Sequence, residues 1–148
     1  MVTKSIELRA NRLAWAGLIP FIATAVLGAF NFWVDVLLHA FLIYSAVILS
    51  FLGGIHWGFA MAGQMERPEL RMLLCMAPAL VGWLAVATLP EIIALPVLAG
   101  SYLLWLNYDV SQITAPWYER MRRPITFVAA GTHFIWFTVL MTAIRVAN

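Results

Sequence analysis

The chain has 148 residues, of which 64% are hydrophobic and 11% are charged, and its formal net charge is +2. This composition leaves little chain for a soluble domain and is typical of a protein that crosses a membrane several times. The basic residues are biased to one side of the predicted spans, so the net charge gives no indication of nucleic-acid binding. The lipid bilayer is the first predicted partner.

Five apolar runs predict five transmembrane helices, at about 13–30, 37–62, 72–89, 92–113 and 125–146. A helix needs about 20 mostly apolar residues to cross the hydrocarbon core, and the only charged residues within these runs are Asp109 and Arg145. Three runs contain prolines that predict kinks, at Pro20, Pro78 and Pro96. The sequence therefore predicts an all-α polytopic bundle that forms a single integral membrane domain over residues 1–148.

Basic residues distinguish the two sides of this bundle. Eight of the nine Lys and Arg residues precede the first run or follow the second or fourth, and only Arg145 lies on the other side. The positive-inside rule therefore predicts a cytoplasmic N-terminus and a C-terminus on the opposite side. The twelve residues before the first run include Glu7 and lack the longer acid-poor stretch of a mitochondrial transit peptide. We therefore expect the bacterial inner (cytoplasmic) membrane as the location.

The connection 111–124 is the most distinctive of the polar stretches. Trp117 and Tyr118 suit the headgroup layer, and the arginines that follow can reach lipid phosphates. We predict that this connection is an interfacial anchor.

Small residues recur every four positions along the second run and predict a close helix crossing, at Ala46, Ser50, Gly54, Gly58 and Ala62. The crossing partner, within this chain or in a second copy, is left open by the pattern. His56 lies about 200° around the helix from Gly54 and so projects from the opposite side. Because an unpaired imidazole is costly in lipid, we expect both faces of this helix to be covered.

Polar side chains in three runs fall at a similar depth. Counted inward from the cytoplasmic ends of the runs, His56 lies about 9 Å deep, His133 about 12 Å and Asp109 about 6 Å. We predict that residues near this level form one ligand-binding pocket, made of His56, Trp57, Asn107, Tyr108, Asp109 and His133. In the alternative interpretation the histidines only hydrogen-bond to neighbouring helices, and Asp109 pairs with Arg120 or Arg122.

The sequence offers no recognisable catalytic arrangement. It contains no Ser-His-Asp grouping, phosphate-binding glycine loop or HExxH helix, so we predict no catalytic residues and no enzyme activity. A zinc site needs a third ligand beside the two histidines, and only Asp109 lies at that depth, so we predict no metal site. Two histidines on different helices, such as His56 and His133, could be the axial ligands of a haem iron. Haem is therefore the one cofactor that the sequence suggests.

Several segments of the chain resemble the domain-of-unknown-function 3429 family. The segment from Ser50 to Gly58 carries most of the resemblance, and it is joined by the segments 18–21, 78–83 and 116–124. The resemblance covers most of the chain, and the glycines with His56 and Trp57 are its most distinctive part. It implies a small multi-pass protein of bacterial inner membranes or mitochondria. The family has no established activity, so the resemblance assigns no site residue.

Three functional hypotheses follow. The first is an accessory or assembly subunit of a larger membrane complex, with a membrane-protein partner or a second copy of the chain at the small-residue stripe. The second is a carrier or sensor that holds a hydrophobic small molecule, such as a porphyrin, quinone or lipid, in the predicted pocket. The third is a bis-histidine haem protein.

Overall fold

The computed structural model describes residues 4–64 and 67–147, which are helical apart from short connections. The helices are α1 (Lys4–Ala16), α2 (Ile19–Ala29), α3 (Val34–Met61), α4 (Pro68–Leu74), α5 (Ala77–Thr88), α6 (Glu91–Gln112) and α7 (Pro116–Ala147). Within the described residues, five helical stretches are long and apolar enough to cross a membrane. The same residues contain no β-strand. The predicted all-α bundle of five crossings is therefore confirmed.

Two of the five crossings consist of two helices separated by a break. The breaks lie between α1 and α2 and between α4 and α5, and Pro20 and Pro78 stand in the first turns that follow them. Proline fits a first turn because its missing N–H would have no intrahelical partner there. The predicted kinks at these two prolines are therefore interruptions, whereas Pro96 lies inside the continuous α6.

Two helices extend well beyond the apolar runs that predicted them. α1 begins at Lys4, although the run begins at residue 13, and α7 begins at Pro116, although the run begins at residue 125. An apolar run marks only the part of a helix that lies in the hydrocarbon core, whereas the helix itself can continue through the headgroup layer. The segment predicted as an interfacial connection is therefore mostly the first two turns of α7.

α3 is the element against which most of the bundle packs. It contacts α2, α4, α5 and α6, while α7 packs on α6, α2 and α1. The face of α3 that carries His56 is buried, but Gly54 and Gly58 are exposed, and no atom of the described residues comes within 4 Å of a Cβ added at either glycine. Within the described chain, α5 therefore covers the stripe at Ala46, and no helix covers it at Gly54 and Gly58. Coverage of this open part by a partner or a second copy stays a prediction.

Gly53, next to the stripe, lies against the break that precedes α5, where the backbone of Cys75 comes very close to α3. A Cβ added at Gly53 would overlap the backbone carbonyl oxygen of Cys75, and one added at Gly82 of α5 would lie 3.2 Å from the Cα of Ala46. A carbonyl cannot move aside as a flexible side chain can. Ala46 is thus the stripe residue that faces a backbone within the chain.

Two adjacent glycines provide a matched test of this packing. Gly53→Ala should destabilise the protein by about 1–3 kcal/mol, because the new methyl group collides with the carbonyl of Cys75. Gly54→Ala should leave the stability equal or raise it by up to about 1 kcal/mol, because alanine favours the helix and meets no atom. Unfolding in mixed micelles with increasing dodecyl sulfate, followed by circular dichroism, measures both. Equal destabilisation by the two substitutions would contradict this packing.

Candidate functional site

Asp109 is the centre of a buried hydrogen-bonded cluster that joins three helices. His56 Nε2 of α3 donates to its Oδ1 at 2.8 Å, and Arg122 Nε of α7 donates to its Oδ2 at 2.7 Å. The hydroxyl of Tyr118 lies 3.0 Å from each carboxylate oxygen. Asp109 is only 1% exposed and Arg122 4%. Because each charge would be costly to bury alone, the pair holds α6 against α7.

The spacing of residues along α7 explains how this helix supplies so much of the cluster. Tyr118, Arg122 and Thr126 follow one another at intervals of four residues, which places them on one slowly drifting helix face. Arg122 Nη1 donates to Thr126 Oγ1 at 3.2 Å, and this fixes the plane of the guanidinium. The described part of the chain offers no hydrogen-bond partner to the buried Arg122 Nη2 or to His56 Nδ1.

His133 belongs to a second cluster. Its Nδ1 donates to the carbonyl oxygen of Ala129 at 2.7 Å, so in the neutral ring Nε2 accepts from Ser45 Oγ, also at 2.7 Å. The hydroxyl of Tyr102 donates to the backbone carbonyl of Ser45 at 2.7 Å. Aromatic rings surround the imidazole, with Phe41 nearest at a centroid distance of 4.7 Å. Both nitrogens of His133 thus have hydrogen-bond partners within the described chain.

The two histidine clusters lie at different levels of the bundle. Ser45, the partner of His133, precedes His56 by 11 residues on α3, which corresponds to about 16 Å along the helix. The predicted common level is therefore wrong. The apolar run that contains His133 begins at residue 125, whereas α7 begins at Pro116, so His133 lies about 25 Å along its helix.

The other residues of the predicted pocket also separate into groups. Tyr108 packs against His56, with ring centroids 5.3 Å apart, and is half-buried. Asn107 and Trp57 are exposed and face away from the Asp109 cluster's buried interior. The structure therefore brings His56, Tyr108 and Asp109 together and leaves the other three predicted residues elsewhere; whether any of the six binds a ligand stays a prediction.

An apolar pocket lies beside the Asp109 cluster, between α1, α2, α3 and α7. Its volume is about 390 Å³, within the range of small-molecule sites. Arg122 is the only charged residue of its wall among those described, and Tyr118 and Thr126 lie next to it. The rest of the wall is mainly aliphatic and aromatic, and includes Ala10, Leu13, Ala14, Leu18, Phe21, Ile48, Phe51, Leu52, Ile55, Met121 and Ile125. The pocket thus joins an apolar interior to one cationic side chain.

Sequence reasoning missed several residues of these sites. The sequence predicts an interfacial anchor at Tyr118, whereas in the structure its side chain is 5% exposed and its hydroxyl donates to Asp109. The signal that would have identified it is the four-residue spacing with Arg122 and Thr126, which becomes visible only when helix α7 is extended back to Pro116. Ser45 carried no such signal.

The described residues contain no group of three or more His, Cys, Asp and Glu side chains that could hold a metal ion. Haem ligation finds no support in the geometry either. His56 and His133 share no hydrogen-bond partner or ring contact among the described residues, and the nitrogens of His133 are already engaged.

Comparison with known proteins gives the family. The sequence pattern of the family described as "Protein of unknown function (DUF3429)" matches residues 6–140. The chain belongs to this family. A Transmembrane protein 69 from Xenopus tropicalis is 35% identical over 123 residues, covering 79% of this chain and 49% of that protein. The mouse Transmembrane protein 69 is 31% identical over 137 residues, covering 85% and 52%.

The chain thus spans about half the length of the curated relatives it matches. No solved structure matches it significantly. The names of the relatives agree with the five membrane-crossing helices and specify no ligand or activity, so the family membership establishes a transmembrane protein and nothing more detailed.

The buried ion pair of Asp109 and Arg122 should contribute strongly to stability. Asp109→Asn should destabilise the protein by about 3–5 kcal/mol, because Arg122 then lies buried without a counter-charge. The double variant with Arg122→Gln should be less destabilised than the sum of the two single variants, since it leaves no lone charge. Denaturation in mixed micelles measures all three.

The matched control is the exposed ion pair of Glu119 and Arg123, which both lie on α7. Arg123 Nη2 is 2.7 Å from Glu119 Oε1. Glu119→Gln should change the stability by less than about 1 kcal/mol. Additive losses in the Asp109 and Arg122 variants, or an equal loss in the control, would contradict the assigned role of the buried pair.

Proposed function

We propose that this protein is a carrier or sensor that binds a hydrophobic small molecule in the apolar pocket beside Arg122. The observation that carries the proposal is the pocket itself, a space of about 390 Å³ with a mainly apolar wall and one cationic side chain. Ligand sites commonly combine such an apolar wall with a few polar groups that orient the ligand.

The location of the pocket supports the same function. Its wall includes Gly17 and Leu18 from the break between α1 and α2, together with α3 and α7. None of the α1 residues is fully buried, and α1 contacts mainly α7. A hydrophobic molecule therefore has a short path from the bilayer to the pocket, past a helix that few contacts hold in place.

We also propose the membrane orientation on which this function depends. Nearly all basic residues lie on the side of the bundle where α1 and α7 begin, so this side faces the cytoplasm by the positive-inside rule. We further propose that the membrane is the bacterial inner membrane, in which case the ligand lies in its cytoplasmic leaflet. Cysteine labelling of single-cysteine variants on either side of the bundle, with a membrane-impermeant reagent, tests the orientation.

Filling the pocket should abolish retention of the ligand. Ala14 is half-buried in the pocket wall, so Ala14→Phe should reduce the bound hydrophobic molecules by about tenfold, because a phenyl ring occupies much of the space. Native mass spectrometry of gently purified protein measures the bound mass. Ala16→Phe is the matched control, since Ala16 is exposed on the same helix and lies outside the wall. Equal retention in both variants and the wild type would reject a carrier function.

A second function, as an accessory or assembly subunit, is favoured by the open face of α3. Gly54 and Gly58 are four residues apart on an exposed face, and an added Cβ meets no described atom at either position. Small residues at this spacing let two helices approach closely in a membrane. Such a face suits a helix of a partner subunit or of a second copy.

A bulky residue on this face should separate the complex without unfolding the protein. Gly58→Leu should lower the fraction that co-purifies with a partner, or that forms a dimer, by about tenfold, because the leucine side chain keeps the helices apart. Gly131→Leu is the control, since Gly131 is also exposed and unobstructed, but on α7. Size-exclusion chromatography with light scattering measures the mass. If the wild type itself were monomeric and free of partners after gentle solubilisation, this function would be excluded.

A further inference from the structure

We propose that the pocket selects an apolar molecule with a neutral carbonyl group, and that Arg122 Nη2 donates the hydrogen bond that recognises this carbonyl. The inference rests on the proposed carrier function and specifies its ligand. It excludes two other ligand classes that would fit an apolar space, namely anionic amphiphiles and plain hydrocarbons.

The guanidinium of Arg122 has one nitrogen without a hydrogen-bond partner among the described residues. Nε donates to Asp109 at 2.7 Å and Nη1 to Thr126 at 3.2 Å. Nη2 finds no partner among the described residues and has almost no exposed surface, so a ligand oxygen in the pocket reaches it only when the side chains that cover it move aside. A buried N–H of a charged group without an acceptor is costly, and an acceptor oxygen on the ligand removes that cost.

The charges beside the pocket are already balanced. Arg122 already neutralises Asp109, and no other described residue in the pocket wall is charged. A ligand carboxylate or phosphate would add a buried negative charge with no cation left to compensate it. A carbonyl oxygen satisfies Nη2 without adding a charge.

The guanidinium of Arg122 is held in a fixed orientation. Asp109 and Thr126 hold the guanidinium from two sides, and His56 and Tyr118 in turn hold the carboxylate. The direction of Nη2 is therefore set before a ligand arrives, so a hydrogen bond to it costs little side-chain entropy. An orientated donor at one end of an apolar space fixes which end of the ligand points toward the cluster.

Four probes with similar apolar tails test the head group, namely methyl laurate, a decyl-substituted benzoquinone, laurate and dodecane. Each is added at the same mole fraction to detergent micelles containing the purified full chain, and native mass spectrometry measures the bound fraction. The ester and the quinone should both be retained about tenfold better than laurate and dodecane. The better retained of the two identifies the source of the carbonyl, a lipid ester or a quinone, and either preference supports the inference.

Arg122→Lys tests the donor. The lysine ammonium can still pair with Asp109 but lacks the second arm of the guanidinium. Retention of the ester and quinone should fall about tenfold, to the level of dodecane. Because this variant could fold poorly, isotope-edited infrared spectroscopy of methyl laurate labelled with ¹³C at the carbonyl gives an independent test on the wild type. Its carbonyl stretch should shift to lower frequency when bound, relative to empty micelles.

The two proposals fail in different ways. If Ala14→Phe changes the retention of none of the four probes, the pocket does not hold ligands and the carrier function is rejected. If Ala14→Phe lowers retention but laurate binds as well as the ester, or the bound carbonyl stretch is unshifted, the carrier function stands and the selection of a neutral carbonyl is overturned.

Discussion

The constraint on which this structure depends is the cost of placing a carboxylate inside a membrane-crossing bundle. Asp109 meets it by accepting hydrogen bonds from His56, Tyr118 and Arg122, so three helices are fixed at a single point. Removing water makes each of these interactions stronger and each unpaired group more costly. The cluster therefore holds α3, α6 and α7 together. It also fixes the guanidinium of Arg122 beside the apolar pocket, with Nη2 lacking a hydrogen-bond partner among the described residues.

The two polar clusters differ in how completely their groups are satisfied. In the His133 cluster the imidazole, Ser45 and Tyr102 form a closed set of hydrogen bonds, which is what a packing role requires. In the Asp109 cluster, Nη2 of Arg122 and Nδ1 of His56 are buried without a partner among the described residues. Because native structures rarely leave buried polar atoms unpaired, the second cluster is the better candidate for a site that receives a ligand.

Adjacent glycines on α3 have separate physical roles. Gly53 lets the break before α5 come against the helix backbone, while Gly54 faces open space. The 100° rotation between neighbouring residues is enough to direct one toward the chain's own core and the other toward lipid or a partner. A small-residue stripe is therefore compatible with packing inside the chain at Ala46 and with an outward surface at Gly58.

The sequence by itself determined the class of the protein and its five crossings, because hydropathy is a local property of the residues. It also identified Asp109 as a carboxylate within an apolar run, where burial of an unpaired charge is costly. It did not determine the depth of His133 or the burial of Tyr118 and Arg122, because polar residues near the interface hide the true start of α7. The sequence offers both Arg120 and Arg122 as the cation that pairs with Asp109. Only the tertiary structure decided between them and placed the pocket, since both depend on which face of α7 packs against α6 and α2.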